Sequence, residues 1–474
     1  MQGGVWAAER RALTVGLVAT ITLVAFEALA VGTVMPLVAR ELGGLELYGW
    51  AFSGFFLGNL VGIVAAGGAI DRGGLRPPLA TGLALFAIGL LIGGLATSMP
   101  ILVLGRIVQG AGAGAVPAVA YVGIRRGYPE ALRPQMFAIL STAWVVPGLL
   151  GPAIAGWIGD HLTWRVVFLG LLPLLVAAAT PALIALGRVP ARPPAAAPPD
   201  PAGLDSALAT RHGDRARLVR AILVACGAGL LLAASTTSSV AIGGAFAVAG
   251  LVIGVPALAG LLPAGALRAA PGLPASVLTR GFLTFAYFGA QAYVPLALIE
   301  VRGTSATEAG LALTVSTLSW TAGSWTQAHR QAAWGPARLV TSGFALVLIG
   351  VIATALAVLS SVPIVGVAVT WGIAGFGMGL AYASLSLLVL AQADSREVGF
   401  ATSALQLSDV LGTSIGTGAG GAVIAVAAAT GASAATGIGL AFGLAVLVAA
   451  SGLLLSRRLE RGRVSTAQTA AAVP

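Results

Sequence analysis

The chain contains no lysine, so all 26 of its basic residues are arginines, and it has one cysteine and three histidines. The single cysteine, Cys226, excludes a disulfide within the chain and a cysteine-based metal site. The histidines, His161, His212 and His329, lack the spacing of metal ligands. Without lysine the chain cannot form the Gly-x-x-x-x-Gly-Lys-Ser/Thr loop of ATPases. We therefore expect no metal and no other cofactor.

Charged residues are scarce as a whole. They make up 9% of the chain, whereas 58% of the residues are hydrophobic and the mean hydropathy is +0.96. In soluble domains about a quarter of the residues are charged. The 66 glycines suit helices that pack closely in lipid, where small residues let backbones approach. This composition predicts a polytopic membrane protein.

Apolar stretches of about twenty residues are long enough to cross a hydrocarbon core as helices. The sequence contains fourteen of them, near residues 12–39, 48–70, 79–97, 101–124, 136–158, 165–187, 218–236, 239–262, 277–299, 306–327, 338–358, 364–391, 399–427 and 433–456. The predicted fold class is therefore an all-α polytopic membrane protein with fourteen transmembrane helices.

The arginines indicate how these helices are oriented. With the N-terminus inside, 22 of the 26 arginines fall in cytoplasmic loops and tails, and Arg280 is counted among them. Outer loops hold Arg40, Arg165 and Arg302, and Arg106 lies within a span. The positive-inside rule then predicts a cell-membrane protein, in the inner or plasma membrane, with both termini cytoplasmic. An orientation signal explains these arginines better than nucleic-acid binding does.

Prolines are dense in the polar stretch that follows the sixth span, which predicts an extended cytoplasmic linker. The expected organisation is an N-terminal six-helix half at 1–187, a linker at 188–217 and two additional helices at 218–262. A C-terminal six-helix half with a cytoplasmic tail then occupies 263–474.

Two acidic residues, Glu27 and Asp409, lie in the middle of apolar stretches. A charge at that depth costs roughly 2.5–3.5 kcal/mol, so such a residue is a candidate functional group. We interpret Glu27 as a carboxyl group that takes up and releases protons, and Asp409 as one that either shares this role or binds substrate. The alternatives are a permanently neutral glutamic acid at Glu27 and a simple hydrogen bond to a neighbouring hydroxyl at Asp409. Gln109 and Gln291 offer further polar contacts at depth.

The loop between the second and third spans has the pattern Gly-x-x-x-Asp-Arg-x-Gly-x-Arg, at residues 67–76. It resembles the cytoplasmic signature of the major facilitator superfamily. The resemblance implies a conformational latch formed by Gly67, Asp71, Arg72, Gly74 and Arg76. A weaker echo at 329–338, between the tenth and eleventh spans, is typical of two repeated halves.

Two further motifs extend the resemblance. In span four, Arg106, Gln109 and Gly110 are similar to the superfamily's Arg-x-x-Gln-Gly element, whose arginine is linked to proton coupling. The alternative is that Arg106 is a structural counter-ion that holds Glu27 or backbone carbonyls. Span five resembles the antiporter signature, with the spacing Gly-x-x-Gly-Pro-x-x-x-Gly, and its motif residues are Gly148, Gly151, Pro152 and Gly156. The segment Trp164-Arg165-Val166-Val167-Phe168 that follows resembles the fourteen-span drug:proton antiporter branch.

Three positions depart from that branch. Glu27 replaces the usual aspartate, and Leu75 stands where a second basic residue is expected. Asp409 lies where an arginine is common, which changes the sign of charge near the expected cavity. The substrate class is therefore left open by the resemblance.

The resemblance implies a proton-driven exporter of lipophilic small molecules, including cationic ones, that works by alternating access and is not an enzyme. Its proton-coupling and cavity residues would be Glu27, Arg106, Gln109, Asp409 and Gln291. The expected partners are protons, a small lipophilic substrate and membrane lipid, and the protein is expected to be a monomer. Export of an endogenous lipid or metabolite, or a receptor that transports nothing, are the alternative hypotheses.

Overall fold

The computed structural model describes residues 4–189, 201–237, 239–359, 362–393 and 398–459. These residues form α-helices joined by short loops and three 3₁₀ turns. The helices are α1 (Ala8–Leu42), α2 (Tyr48–Gly73), α3 (Arg76–Gly94), α4 (Met99–Ala113), α5 (Ala115–Gly127), α6 (Arg133–Thr142), α7 (Val145–His161), α8 (Trp164–Leu169), α9 (Leu171–Leu186), α10 (Pro201–Thr236), α11 (Val240–Ala259), α12 (Leu273–Gln291), α13 (Val294–Arg302), α14 (Ala306–Trp334), α15 (Pro336–Leu359), α16 (Ile364–Gln392), α17 (Val398–Ala429) and α18 (Ala434–Ser456).

Among the described residues, twelve helical segments are long and apolar enough to cross a membrane. Each of the fourteen predicted spans falls on helix, but the fifth and tenth are not among these twelve. The fifth is divided between α6 and α7, and the tenth is α14, a 29-residue helix with many polar side chains. The all-α membrane fold is thus confirmed, whereas the count of fourteen stays a prediction.

Proline explains two of the places where a predicted span consists of two helices in line. Pro147 and Pro295 lie in the first turns of α7 and α13. A proline has no backbone N–H, so it cannot donate the helical hydrogen bond to the carbonyl four residues earlier. The helix before it therefore ends, and α6 and α12 stop shortly before these prolines.

Glycine sets the turn at equivalent places in the two halves. Gly74 follows α2 with φ 85°, and Gly335 follows α14 with φ 73°. This left-handed backbone region is unfavourable for residues with a Cβ atom, so glycine commonly ends a helix in this way. The predicted signature and its weaker echo thus share the same helix-ending turn.

Two bundles pack against each other, and we call α1–α9 the N-half and α12–α18 the C-half. They meet through α2 with α17, α7 with α14, and α1 with α13. Helices α10 and α11 pair with each other, and α10 also packs on α2 and α17. Helix α10 begins at Pro201, inside the range expected as linker, and residues 190–200 lie outside the described part of the chain. The domain limits remain a prediction.

Candidate functional site

The N-half holds a buried ion pair between α1 and α4. The Arg106 guanidinium donates to the Glu27 carboxylate through Nη1, and the same nitrogen donates to Gln109 Oε1 at 2.7 Å. Arg106 Nε donates to the Ala51 carbonyl at 3.1 Å, and the guanidinium lies 4.3 Å from the centre of the Phe55 ring. Three of the predicted site residues, Glu27, Arg106 and Gln109, are therefore in direct contact.

This cluster is sealed in the interior of the N-half. Glu27 and Gln109 have no exposed surface and Arg106 is 3% exposed. Glu27 Oε2 and Gln109 Nε2 are buried without a hydrogen-bond partner. The sequence predicts that Glu27 faces a cavity between the halves, but in this conformation its carboxylate binds Arg106 of α4 inside the N-half. A proton can reach it only after these helices move or water enters.

Close helix packing brings Arg106 to the carbonyl of Ala51. A Cβ atom on Gly110 would lie 1.9 Å from the Phe55 carbonyl oxygen, so only glycine allows α4 this close to α2. Small residues permit such backbone approach in membrane helices. Gly110, the glycine of the Arg-x-x-Gln-Gly element, therefore allows the approach of α4 to α2 that places Arg106 beside the Ala51 carbonyl.

The C-half holds a second ion pair, between α12 and α17. Arg280 Nε donates to Asp409 Oδ1 at 3.0 Å, and the Tyr382 hydroxyl of α16 donates to Asp409 Oδ2 at 2.8 Å. Arg280 also donates to the Tyr382 carbonyl at 2.6 Å and stacks over the Tyr382 ring. Asp409 keeps 23% of its side-chain surface exposed, whereas Arg280 is 3% exposed.

Sequence reasoning missed Arg280. The positive-inside pattern places Arg280 in a cytoplasmic loop, but it is the eighth residue of α12 and is buried. Arg280 lies three residues inside the predicted span 277–299, and this position could have identified it as a buried arginine. Its contact with Asp409 also changes the expected charge near the cavity, because the negative charge of Asp409 is balanced by this arginine.

Gln291 does not join either cluster. It is the partly exposed last residue of α12, eleven residues and roughly 16 Å along the helix from Arg280. Tyr121 of α5, in contrast, faces the Asp409 cluster from the N-half, near enough to interact electrostatically with Asp409 and Tyr382. Tyr121 is 42% exposed. Tyr121 thus brings an exposed aromatic residue of the N-half close to the Asp409 cluster.

The latch motif is described only in part. Gly74 makes the turn after α2, and Arg76 is the exposed first residue of α3. A Cβ atom added to Gly67 would have no heavy atom within 4 Å, so packing does not require glycine at this position. The side chains of Asp71 and Arg72 lie outside the described residues. The expected latch between these charges therefore stays a prediction.

The antiporter motif of α7 lies at the interface between the halves. A Cβ atom on Gly156 would come within 2.4 Å of the Ala306 carbonyl oxygen, and one on Gly148 within 2.2 Å of the Thr317 side chain. The Pro152 carbonyl occupies the space beside Gly310 of α14 in the same way. Gly151 instead faces Phe26 of α1 at an ordinary 3.5 Å. Gly148 and Gly156 thus permit the close contact between α7 and α14, and Pro152 lies within it.

Ionic contacts join the halves at one end of the bundle, which we call the Glu300 side. Arg40 Nε donates to Glu300 Oε1 at 2.5 Å. The Asp160 carboxylate accepts the backbone N–H groups of Ala306 and Thr307 at 3.0 and 2.8 Å. A carboxylate at a helix N-terminus is favoured by the helix dipole and by the free N–H groups there. Asp160 therefore holds the start of α14 against the end of α7.

The Asp160→Ala variant is expected to loosen the Glu300 side. Losing a side chain that binds a helix N-terminus costs about 1 kcal/mol, which corresponds to a roughly fivefold larger open population. We would measure labelling of a cysteine at Thr314, which is 8% exposed and bonded to the Leu149 carbonyl, in a Cys226→Ser background. A membrane-impermeant maleimide would be applied from this side.

The matched control for that experiment is Glu41→Gln. Glu41 also forms an ion pair at the Glu300 side, but its partners, Arg165 and Trp164, belong to the same half. Its substitution should leave the labelling rate of the cysteine at 314 unchanged. Equal rates in the Asp160→Ala variant and the parent protein would show that Asp160 does not hold the halves together.

Within the described part of the chain, no group of three His, Cys, Asp or Glu side chains could hold a metal ion. The chemistry available at both clusters is proton exchange on a carboxyl group and recognition by charge and aromatic rings. Neither cluster pairs a nucleophile with a base.

The helical bundle with charged pairs inside it is typical of a transport protein. The sequence profile of the Major Facilitator Superfamily matches residues 17–417. The chain therefore belongs to the Major Facilitator Superfamily and is a multi-pass membrane protein.

Relatives of this chain include transporters of Mycobacterium tuberculosis. The chain is 27% identical over 404 residues to the uncharacterized MFS-type transporter Rv1877, covering 82% of the chain. It spans only 56% of the length of that relative. It is 26% identical over 419 residues to the probable multidrug-efflux transporter Rv1634, covering 83% of both proteins.

Solved structures with the same fold include a bacterial homologue of the human lysosomal transporter Spinster in an inward-facing, unoccupied conformation. That structure has a TM-score of 0.65 and 16% identity, and the match covers 96% of this chain and 98% of the other. An auto-inhibited POT family peptide transporter has a TM-score of 0.64 and 18% identity, with 94% and 97% covered. At these identities the likeness establishes the fold.

Proposed function

We propose that this protein exports lipophilic small molecules in exchange for protons by alternating access, and that Glu27 carries the proton. The buried Glu27–Arg106 pair is the observation that carries the proposal. It has an unpartnered carboxylate oxygen and lies at mid-depth in α1. The relative named as a probable multidrug-efflux transporter supports export as the direction.

The proton step follows from the charge balance of the pair. With Glu27 ionised, the pair is neutral and stable in the interior. Protonation of Glu27 leaves Arg106 as a buried, uncompensated cation, and losing one partner of a buried pair costs about 3–5 kcal/mol. A conformation that hydrates Arg106 then becomes favoured. Uptake and release of the proton would therefore be coupled to movement of α1 against α4.

The contacts between the halves support an inward-facing assignment for this conformation. They lie on the Glu300 side and reach the middle of the bundle, at Gly148 with Thr317 and at Ser53 with Ser414. The exposed faces of Tyr121 and Asp409 lie beyond them. If the arginine-rich loops are cytoplasmic, the Glu300 side is the closed outer side. We also propose that α6–α7 and α14 cross the membrane, which gives fourteen spans.

The driving force is large enough for useful export. One proton that crosses about 100 mV releases about 2.3 kcal/mol. Half a pH unit adds about 0.7 kcal/mol. Together these can hold a substrate gradient of roughly a hundredfold.

Purified protein in liposomes tests the proposal. A pH gradient, acidic on the substrate-receiving side and set at zero potential with valinomycin and potassium, should drive uptake of a lipophilic fluorescent dye. Dye added outside the liposomes should in turn drive protons out of them. Pyranine in the outer solution would record these protons. Dye transport that is independent of the pH gradient and moves no protons would contradict exchange. It would indicate a facilitator. No movement of any dye or lipid probe would indicate a role other than transport.

Export of an endogenous lipid is the second candidate, and the same liposomes separate it from drug export. A fluorescent phospholipid would be reduced by dithionite added outside, so transport between leaflets appears as a change in the protected fraction. Movement of the phospholipid but not of the soluble dyes would favour a lipid substrate.

A further inference from the structure

The Asp409–Arg280 pair bears on the charge of the substrate, and this inference rests on the proposed transport function. Glu27, Arg106 and Arg280 are the buried charged side chains among the described residues. Each is compensated, the first two by each other and the third by Asp409. We propose that the substrate is an uncharged aromatic molecule with a hydrogen-bond donor, bound at Asp409, and that Arg280 sets this preference.

A cationic substrate is disfavoured because it would compete with Arg280 for the carboxylate. Arg280 is 3% exposed and is bonded to the Tyr382 carbonyl, so it cannot turn to water when its partner is taken. Displacing it would leave a buried, unpaired guanidinium. An anionic substrate would in turn face the exposed side of Asp409, which carries the negative charge of the pair. An uncharged donor avoids both costs.

The carboxylate retains capacity for such a donor. An ionised carboxylate has about four acceptor positions, and Arg280 and Tyr382 each use one at Asp409. Trp320 lies beside this position with its ring centre 5.4 Å from that of Tyr382, and both rings are partly buried. Tyr121 provides an exposed ring from the opposite half. Aromatic rings favour flat aromatic ligands through offset or edge-to-face contacts.

The experiment compares three probes that share one anilinonaphthalene scaffold. N-phenyl-1-naphthylamine is neutral and carries an N–H donor, 8-anilinonaphthalene-1-sulfonate is its anionic counterpart, and a trimethylammonium derivative is cationic. Binding is measured by fluorescence in nanodiscs, with protein-free nanodiscs as the blank. The wild-type protein should bind the neutral probe about tenfold more tightly than either charged probe.

Substitutions at the pair should change the preference in opposite directions. Arg280→Gln leaves Asp409 uncompensated, so affinity for the cation should rise about tenfold relative to the neutral probe. Asp409→Asn leaves Arg280 uncompensated, so the sulfonate should gain by a similar factor. The double variant restores neutrality and should return the preference to the neutral probe. The double variant also answers the concern that a single substitution unfolds the protein.

A wild-type protein that binds the cation as tightly as the neutral probe would overturn the inference without any variant. Preferences that do not change between the two single substitutions would also overturn it. Because binding is measured without a gradient, these outcomes do not depend on proton exchange. In liposomes, a membrane potential alone should drive exchange of a proton for the neutral probe, since net charge then moves. Exchange for a monovalent cation would not respond to it.

Discussion

Glu27→Gln is expected to abolish dye accumulation driven by a pH gradient while leaving dye binding intact. Glutamine has nearly the same shape as glutamate but carries no titrating proton. Transport in liposomes should fall to the level of protein-free liposomes, and proton release on dye addition should disappear. The neutral probe should still bind, because Glu27 is sealed in the N-half and makes no contact with the Asp409 cluster.

Glu41→Gln is the matched control for this prediction. Both glutamates belong to α1 and both pair with an arginine, but the side chain of Glu41 is 50% exposed at the end of the helix. An exposed pair contributes little to stability, about 0–1 kcal/mol. The control should keep proton-coupled transport. Loss of transport in both variants, or in neither, would contradict the assignment of the proton to Glu27.

Stability needs a separate control, because Glu27→Gln leaves Arg106 buried without its counter-ion. Such a loss costs about 3–5 kcal/mol. The double variant Glu27→Gln, Arg106→Gln removes both charges and should recover most of the thermal stability lost in the single variant. It should not recover transport. Recovery of transport together with stability would show that the pair has only a structural role.

The sequence was sufficient to predict where the helices lie, because long apolar stretches and proline positions determine them locally. It also placed Glu27 and Arg106 together as one of two hypotheses, since a buried acid and a buried base in the same bundle usually compensate each other. Both proposed bonds of Arg106 occur: it binds Glu27 and a backbone carbonyl.

Contacts between distant helices could not be predicted in the same way. Arg280 and Asp409 are 129 residues apart, and only the packing of α12 against α17 brings them together. Nothing in the sequence indicates that Asp160 binds the start of α14, because this contact also depends on how the helices pack. Nor could it show that Glu27 faces the interior of its own half, because the face of α1 that meets α2 and α4 depends on how the bundle packs.

Gly156→Ala is expected to force α7 and α14 apart and to slow transport strongly. The added Cβ atom would lie 2.4 Å from the Ala306 carbonyl oxygen and 2.7 Å from Thr307 Cα, both of which belong to the backbone of α14. Backbone atoms cannot rotate away, so α7 and α14 must separate. Overpacking of this kind costs typically 1–3 kcal/mol, which shifts the population away from the closed Glu300 side by roughly 5- to 150-fold.

Gly151→Ala is the matched control, on the same helix and in the same motif. Its Cβ atom would meet the Phe26 ring at 3.5 Å, an ordinary contact. Gly310→Ala approaches the same interface from α14, because its Cβ atom would lie 2.3 Å from the Pro152 carbonyl oxygen. We expect Gly156→Ala and Gly310→Ala to slow transport at least tenfold and to raise maleimide labelling at position 314. Gly151→Ala should do neither. If all three variants transported at the parental rate, close approach of α7 and α14 would not be part of the cycle.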